Sequence, residues 1–400
     1  MSPTRLLTAV LTTALLTAGA AAPAVAAPAA GSSAERPLAA TDWQQTLADG
    51  ESSLLGVAQP DSHTTWAAGV RVTYEGRVSK MAPLLMTRDG SGGWTETPTA
   101  PLAPRVNSRA NAITATSAQD GWIVGDGSAA LGGILTEHWN GTSWEAVTAP
   151  VPENTEVDGG GLLGVSGRSA EGVWAVGWVQ LTQKPDSNDV DFQGLAEHWD
   201  GTSWTIMPLP DVAQSWVLNA VTAIAPDDVW AVGTDMIDDQ PILLHYDGRS
   251  WKQTPTPSYK GINGEFNSVA AYGPNDVWAA GRAVLDEDDR GHALLAHWDG
   301  HAWKQVATPA DAGTVRSVTA APGGPVTVGS AAAATDVPSE SDAYGMRWTG
   351  YGWRNLALPT ASGTERTPSG VVVSKKGITV VGSIATAESP TPRAMVLTTG

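Results

Sequence analysis

The chain has 400 residues, a formal net charge of −18 and no cysteine. The negative charge argues against a nucleic acid or an anionic membrane surface as the partner, because both are bound through clusters of lysine and arginine. Without cysteine the chain forms neither disulfides nor a lipoprotein anchor, but a chain of this length can bury a sufficient core without them.

The N-terminus has the three parts of a secretory signal peptide. Arg5 supplies a positive charge, residues 6–16 form an apolar segment, and residues 24–26 (Ala-Val-Ala) fit a cleavage site. The apolar segment is too short for a membrane span, and no later segment approaches that length. We therefore predict a signal peptide at 1–26, a flexible leader at 27–40, a single domain at 41–400 and a secreted, extracellular protein.

A short apolar segment that ends in glycine recurs along the rest of the chain. The copies lie at residues 65–69, 121–125, 173–177, 229–233, 277–281, 326–329 and 379–382. They are spaced by roughly fifty residues, a period that is typical of repeat folds such as propellers. Helical periodicity is absent beyond the signal peptide, so the sequence predicts an all-β protein.

Each repeat predicts four strands, A to D. In the fourth copy these are residues 218–224, 229–233, 242–246 and a last strand that carries Trp251 after the Asp247-Gly248 turn. Tryptophans at the position of Trp251 follow five of the other copies, and a seventh, Trp43, lies near the N-terminus. The sequence ends at Gly400, where the next strand D would begin. We therefore predict a monomeric, seven-bladed β-propeller with four-stranded antiparallel blades, closed by the N-terminal strand.

The repeat resembles that of kelch-type β-propellers and is similar to the central domain of galactose oxidase. The residues that carry the resemblance are the glycine-ending strand, His245-Tyr246-Asp247, Trp251, Pro255 and Pro104-Arg105. The glycine pair of the family is a single glycine here, and a WD-repeat propeller is the alternative. The resemblance implies a ring whose faces bind ligands or proteins. Galactose oxidase chemistry requires a cysteine that this chain lacks, so no cofactor is expected.

Repeated tryptophans and histidines are interpreted as structural. Sixteen of the 18 tryptophans fall on repeat positions, which predicts packing between blades with each indole N–H bonded to a neighbouring strand. The repeated histidines are His138, His198, His245 and His297. Equivalent positions in different blades do not converge, so we expect imidazoles bonded to backbone groups and no metal site.

Candidate binding residues are those that interrupt the repeat. The off-pattern aromatics Trp178, Phe192, Trp216 and Tyr259 fall on one predicted face, where B–C loops and D–A connections emerge. We interpret them as a platform for a sugar or a peptide, the alternative being aromatic packing within long loops. Acidic loops on the same face include the calcium candidates Asp286, Asp288 and Asp289, although no spacing matches a dedicated calcium loop and solvated loops are the simpler interpretation.

No catalytic motif is present in the sequence. A nucleophile elbow, a phosphate-binding glycine loop and a His-Glu-x-x-His helix are all absent. The sequence therefore favours a secreted, non-enzymatic recognition protein whose ligand is a glycan or an extracellular protein. A hydrolase or lyase that acts on polysaccharide through carboxylates at the mouth of the ring is the alternative, and a ring that scaffolds other proteins is a third.

Overall fold

A computed structural model of the chain describes residues 37–90, 92–101, 107–127, 133–153, 155–181, 191–285, 291–332 and 342–399. Leu38–Gly400 form one compact unit that contains all the described strands. Apart from a single-turn 3-10 helix at Ala40–Asp42, each described element is a strand. Within these ranges, no helix has the length and apolar character that crossing a membrane requires. The predicted signal peptide and most of the predicted leader lie outside them.

The strands form antiparallel sheets of four, numbered here in chain order. Sheet 1 contains β2 (Ser52–Ala58), β3 (Thr64–Glu75), β4 (Val78–Asp89) and β5 (Trp94–Glu96). Sheet 2 contains β6 (Ser108–Ser117), β7 (Asp120–Gly127), β8 (Ile134–Trp139) and β9 (Trp144–Ala146). Sheet 3 contains β10 (Thr155–Ser169), β11 (Gly172–Leu181), β12 (Phe192–Trp199) and β13 (Trp204–Ile206).

The remaining sheets follow the same order. Sheet 4 contains β14 (Trp216–Ala225), β15 (Asp228–Asp235), β16 (Pro241–Tyr246) and β17 (Trp251–Gln253). Sheet 5 contains β18 (Asn263–Gly273), β19 (Asp276–Val284), β20 (His292–Trp298) and β21 (Trp303–Val306). Sheet 6 contains β22 (Ala312–Thr319), β23 (Val326–Ala331), β24 (Ala343–Trp348) and β25 (Trp353–Asn355). Sheet 7 contains β26 (Thr364–Ser374), β27 (Gly377–Thr386), β28 (Arg393–Thr399) and β1 (Trp43–Leu47).

Two pairings join segments that are distant in sequence. β1 pairs with β28, with Trp43 opposite Thr399, so the strands of sheet 7 come from both ends of the described chain. A single pair, Gly161 opposite Asp126, connects sheets 2 and 3 into one continuous sheet. The predicted all-β fold with four-stranded antiparallel sheets is thereby confirmed, and its architecture is that of a β-propeller.

The first strand of every sheet has a β-bulge at an equivalent position. The bulged residues are Leu55, Asn111, Leu163, Asn219, Asn267, Arg316 and Ser369. The repeated glycine pairs with the residue before the bulge, as Gly233 does with Leu218, and a Cβ on Gly233 would lie 1.9 Å from the carbonyl oxygen of Val217. Because β15 continues to Asp235, this glycine marks a close backbone contact and not the predicted end of the strand.

Tryptophans join neighbouring sheets through a repeated contact. Trp230 of sheet 4 packs against Trp298 and Trp303 of sheet 5, with ring centroids 5.0 and 5.1 Å apart. Equivalent contacts are made by Trp66, Trp122, Trp174 and Trp278. The packing prediction is confirmed. The hydrogen-bond prediction is wrong for Trp230, whose indole N–H has no partner among the described residues.

Repeated histidines are bonded to aspartates rather than to backbone groups, which corrects the sequence expectation. The Nε2 atom of His245 lies 2.8 Å from an Asp228 carboxylate oxygen, and the imidazole stacks on Trp230. His138 with Asp120 and His297 with Asp276 repeat this pairing. The aspartate that begins the second strand of the sheet therefore orients the histidine of the third strand. At His198 the equivalent residue is Gly172, and burial lowers the pKa of that imidazole.

Candidate functional site

Exposed apolar side chains concentrate at one end of the sheets. We call this end, where the loops from each second strand to each third strand emerge, the loop face. Nine large apolar side chains are exposed in the described part of the chain, and seven of them lie on the loop face. They are Tyr74, Val78, Met81, Met236, Ile237, Ile262 and Leu285. Clusters of exposed apolar side chains are typical of interaction surfaces, whereas single exposed apolar residues are common on any protein surface.

Four of these residues, Met236, Ile237, Ile262 and Leu285, form what we call the apolar patch, on sheets 4 and 5. Their exposed fractions are 48, 55, 50 and 42%. The amide of Gln240 donates to the carbonyl oxygen of Ile262 at 3.0 Å, which ties the loop after β15 to the segment before β18. The backbone N–H of Ile262 donates to the carbonyl of Val284, the residue before Leu285. The patch is therefore held as one surface.

An aspartate turn places Ile237 at the tip of its loop. One carboxylate oxygen of Asp235 accepts the backbone N–H groups of Ile237 at 2.9 Å and of Asp238 at 3.2 Å. Asp239 has a left-handed φ of 49°, and its carbonyl oxygen accepts the N–H of Gly264 at 2.7 Å. The loop therefore combines an exposed isoleucine with three aspartates.

A second apolar group lies at the tip of the β3–β4 hairpin of sheet 1. These strands extend farther than the equivalent strands of sheet 4, and they expose 61% of Tyr74, 63% of Val78 and 38% of Met81. The Tyr74 hydroxyl donates to a carboxylate oxygen of Glu51 at 2.8 Å, so the ring is oriented as well as exposed. Sequence reasoning missed this hairpin because its tight turn leaves no long loop to interrupt the repeat.

The predicted aromatic platform is only partly assembled. Trp178 and Phe192 are half-buried and contact each other edge to face, with centroids 5.3 Å apart. Tyr259 is half-buried, and its hydroxyl donates to Gln240 at 2.8 Å, so it supports the apolar patch. Trp216 is only 1% exposed and lies in the core. Trp216 is therefore not part of an exposed platform, which corrects the prediction. Its ring occupies the space that a side chain at Gly194 would need.

A central channel opens among the first strands of the sheets. Its volume is about 380 Å³, and the bulged residues of all the sheets line it. Among them, burial lowers the pKa of the Arg316 guanidinium, while the carboxylates of Glu265 and Glu365 oppose that shift. Arg282 adds a second cation nearby, with its Nε 3.6 Å from Glu265. The channel therefore contains a charged group that the sequence had not indicated, since nothing in the repeat predicts an arginine at a bulge.

Metal ligands do not converge in the described ranges. No group of three or more histidine, aspartate or glutamate side chains there is arranged to hold an ion. The calcium candidates Asp286, Asp288 and Asp289 lie outside the described residues.

Comparisons with known proteins identify the fold and no family. Neither the family models nor the curated proteins include a match. A solved structure of YCF48 bound to a D1 peptide is similar with a TM-score of 0.55 and 12% identity, over 91% of this chain and 98% of that one. YCF48 from Cyanidioschyzon merolae has a TM-score of 0.52 and 12% identity, over 89% and 98%.

A lectin is among the solved structures of lower similarity. The six-bladed β-propeller lectin of Aleuria aurantia, a fungal lectin that recognises fucose, has a TM-score of 0.44 and 14% identity, over 78% of this chain and 97% of that one. At these identities the likenesses concern the fold alone.

Proposed function

We propose that this chain is a secreted recognition protein that binds another extracellular protein through the apolar patch. The observation that carries the proposal is the exposure of Met236, Ile237, Ile262 and Leu285 on one surface of the loop face. Burial of apolar surface is favourable by about 25 cal/mol for each Å². A partner that covered these side chains would therefore gain binding free energy. The hydrogen bonds of Gln240 and Tyr259 hold the patch in place before a partner arrives.

The side-chain types favour a protein over a glycan. Sugars stack on flat aromatic faces, whereas the patch presents aliphatic groups, which suit a protein surface. The aromatic pair of Trp178 and Phe192 is half-buried, so it offers less area to a sugar ring. Glycan binding through that pair is the second candidate of the recognition class.

Charge around the patch indicates the character of the partner. Asp238 and Asp239 are exposed beside Ile237, and the chain as a whole carries a net charge of −18. A complementary partner has an apolar centre with lysine or arginine around it, since opposite potentials speed association and favour the correct orientation. Association is expected to slow as the ionic strength rises.

Finer features of the architecture belong to the same proposal. A monomeric, closed ring of seven blades is supported by the pairing of β1 with β28 and by one channel lined from every sheet. The kelch-type assignment rests on the resemblance of the repeat, and secretion rests on the signal pattern of residues 1–26.

Removing the apolar character of the patch is expected to abolish partner binding. In the double variant Ile237→Asp with Ile262→Asp, two charges replace groups that a partner would desolvate, so a loss of at least about a hundredfold in affinity is expected. The measurement is capture of extracellular proteins from the native culture fluid on immobilised protein, identified by mass spectrometry and then titrated individually.

Tyr351→Asp is the matched control, because Tyr351 is 99% exposed in the turn after β24, at the opposite end of the sheets. It is expected to capture the same proteins as the wild type. If the double variant also captured them, the patch would not be the binding surface. A glycan array is run in parallel. If the protein bound glycans on the array but captured no protein, glycan binding would become the first candidate function.

The hydrolase or lyase alternative has one observation in its favour. Glu265 and Glu365 come from different sheets, and both act electrostatically on Arg316 in the channel. Glycoside cleavage requires a pair of carboxyl groups that flank the scissile bond. On this alternative the purified protein is expected to cleave an extracellular polysaccharide, and Glu365→Gln is expected to lower the rate at least about a hundredfold. Absence of cleavage products across a polysaccharide panel would contradict it.

A further inference from the structure

Among the bulged residues of the first strands, the three asparagines and the arginine differ in what their side chains do. Asn111, Asn219 and Asn267 each donate an amide hydrogen bond to the carbonyl oxygen of a residue in the next first strand. The donor–acceptor distances are 3.0, 2.9 and 3.2 Å. These asparagines connect one sheet to the next. Their amide donors are satisfied without a ligand.

Arg316 occupies the same position in sheet 6 but has no such partner. Its guanidinium forms no hydrogen bond and no ion pair with any residue in the described ranges, and its Nη1 atom is removed from solvent. A buried donor without an acceptor is costly, and a charged one more so. The side chain lies in the wall of a channel, where an incoming molecule can reach it.

Neighbouring carboxylates do not neutralise Arg316 by direct contact. Glu265 is engaged elsewhere, since it accepts from the Asn267 amide at 3.3 Å and lies 3.6 Å from the Arg282 guanidinium. Glu365 is exposed and makes no ion pair with a described residue. The Arg316 guanidinium therefore keeps donors that a molecule in the channel can use.

The size and lining of the channel limit the ligand. A volume of about 380 Å³ lies at the small end of the range for ligand sites, so it suits a molecule of monosaccharide size. The lining is rich in amide, hydroxyl and backbone groups, among them Asn219, Thr222 and Ser369, which favours a polar molecule. A guanidinium binds a carboxylate through two parallel hydrogen bonds.

We propose that the central channel binds a small polyhydroxylated carboxylate, of the class of the hexuronic acids, with its carboxylate on Arg316. Hydroxyl groups of the ligand bond to the amide, hydroxyl and backbone groups that line the channel. This site is separate from the apolar patch and goes beyond the proposed recognition of a protein. The two sites share no residue, so either can fail without the other.

The test is calorimetric titration of the purified protein with glucuronate, and with glucose as the uncharged counterpart. We expect glucuronate to bind and glucose to bind at least about tenfold more weakly, because glucose lacks the charged acceptor. Arg316→Met is expected to weaken glucuronate binding at least about tenfold, and Arg316→Lys by less, because lysine keeps the charge without the paired geometry.

Arg249→Met is the matched control, because Arg249 is exposed in the turn after β16, away from the channel. Its affinity for glucuronate is expected to equal that of the wild type. Arg316→Met removes a buried unpaired cation, so it is expected to fold, and Arg316→Lys provides a second reading if it does not. Equal affinity of the wild type and of either folded Arg316 variant, or equal binding of glucose and glucuronate, would overturn the proposal, as would a wild type that binds neither.

Discussion

Replacing Gly233 with alanine is expected to destabilise the protein by more than about 3 kcal/mol. The new Cβ would lie 1.9 Å from the carbonyl oxygen of Val217 and 3.0 Å from the Cα of Leu218. These are backbone atoms of the bulged strand, so no side-chain rotation relieves the overlap. The strands would have to separate at the bulge, next to the channel wall. Urea unfolding, followed by tryptophan fluorescence, measures the loss.

Gly273→Ala is the matched control for this prediction. Gly273 lies in the same pair of strands of the next sheet, and a Cβ there would meet no atom within 4 Å. Its replacement is expected to change the free energy of unfolding by less than about 0.5 kcal/mol. If Gly233→Ala were as mild as the control, the bulge would be able to yield, and the repeated glycine would need another explanation.

The glycine shows how far a sequence pattern can be taken. The spacing of the repeat located the strands well, since the predicted strand at 242–246 is Pro241–Tyr246 in the structure. The role of Gly233 could not be predicted from the sequence, because the bulge that it faces lies on a different strand. A glycine that ends a strand and a glycine that faces a bulge look the same in sequence. Similarly, the hydrogen bond between His245 and Asp228 depends on the pairing of β15 with β16, which the sequence alone does not show.

The predicted binding site stays a prediction, but the structure shows which side chains of the interrupted loops are exposed. The interruption of the repeat between Gly233 and Ile242 pointed to the loop that carries Ile237, which is 55% exposed. The prediction was based on aromatic residues and therefore included Trp216, which is buried because Gly194 in the neighbouring sheet leaves room for its ring. A large aromatic off the repeat is more often used to fill a gap between sheets than to face solvent. Exposed aliphatic residues in an otherwise polar loop are the signal that could have identified the patch.

Glu197 is the least compatible buried group of the core. It is 0% exposed, neither carboxyl oxygen has a hydrogen-bond partner among the described residues, and burial raises its pKa to about 8. At the equivalent register position, sheet 4 has Leu244 and sheet 5 has Ala296. The fold therefore accepts an apolar side chain at this place in other sheets. The glutamate is tolerated in its protonated form, which resembles a polar neutral residue.

The free energy of unfolding is accordingly expected to fall as the pH rises from about 4.5 to about 8. In that window the folded carboxyl keeps its proton and the unfolded one loses it, so each added pH unit costs up to about 1.4 kcal/mol. Below the window both states are protonated, and above it both are ionised, so the contribution of Glu197 becomes constant.

Glu197→Leu is expected to remove the part of this slope that Glu197 causes, leaving the part that Glu137 causes below about pH 7. It is expected to stabilise the protein at pH 8 by about 2 kcal/mol or more, with little change at pH 4.5. Glu137→Leu is the informative comparison. Glu137 is also 0% exposed, and burial raises its pKa to about 7, but it accepts the backbone N–H of Ala100 at 2.9 Å. Its replacement leaves that donor unpaired, which offsets part of the gain. Urea unfolding at a series of pH values measures both variants. A slope between about pH 7 and 8 as steep in Glu197→Leu as in the wild type would contradict the prediction, because it would mean that Glu197 is already ionised in the folded protein.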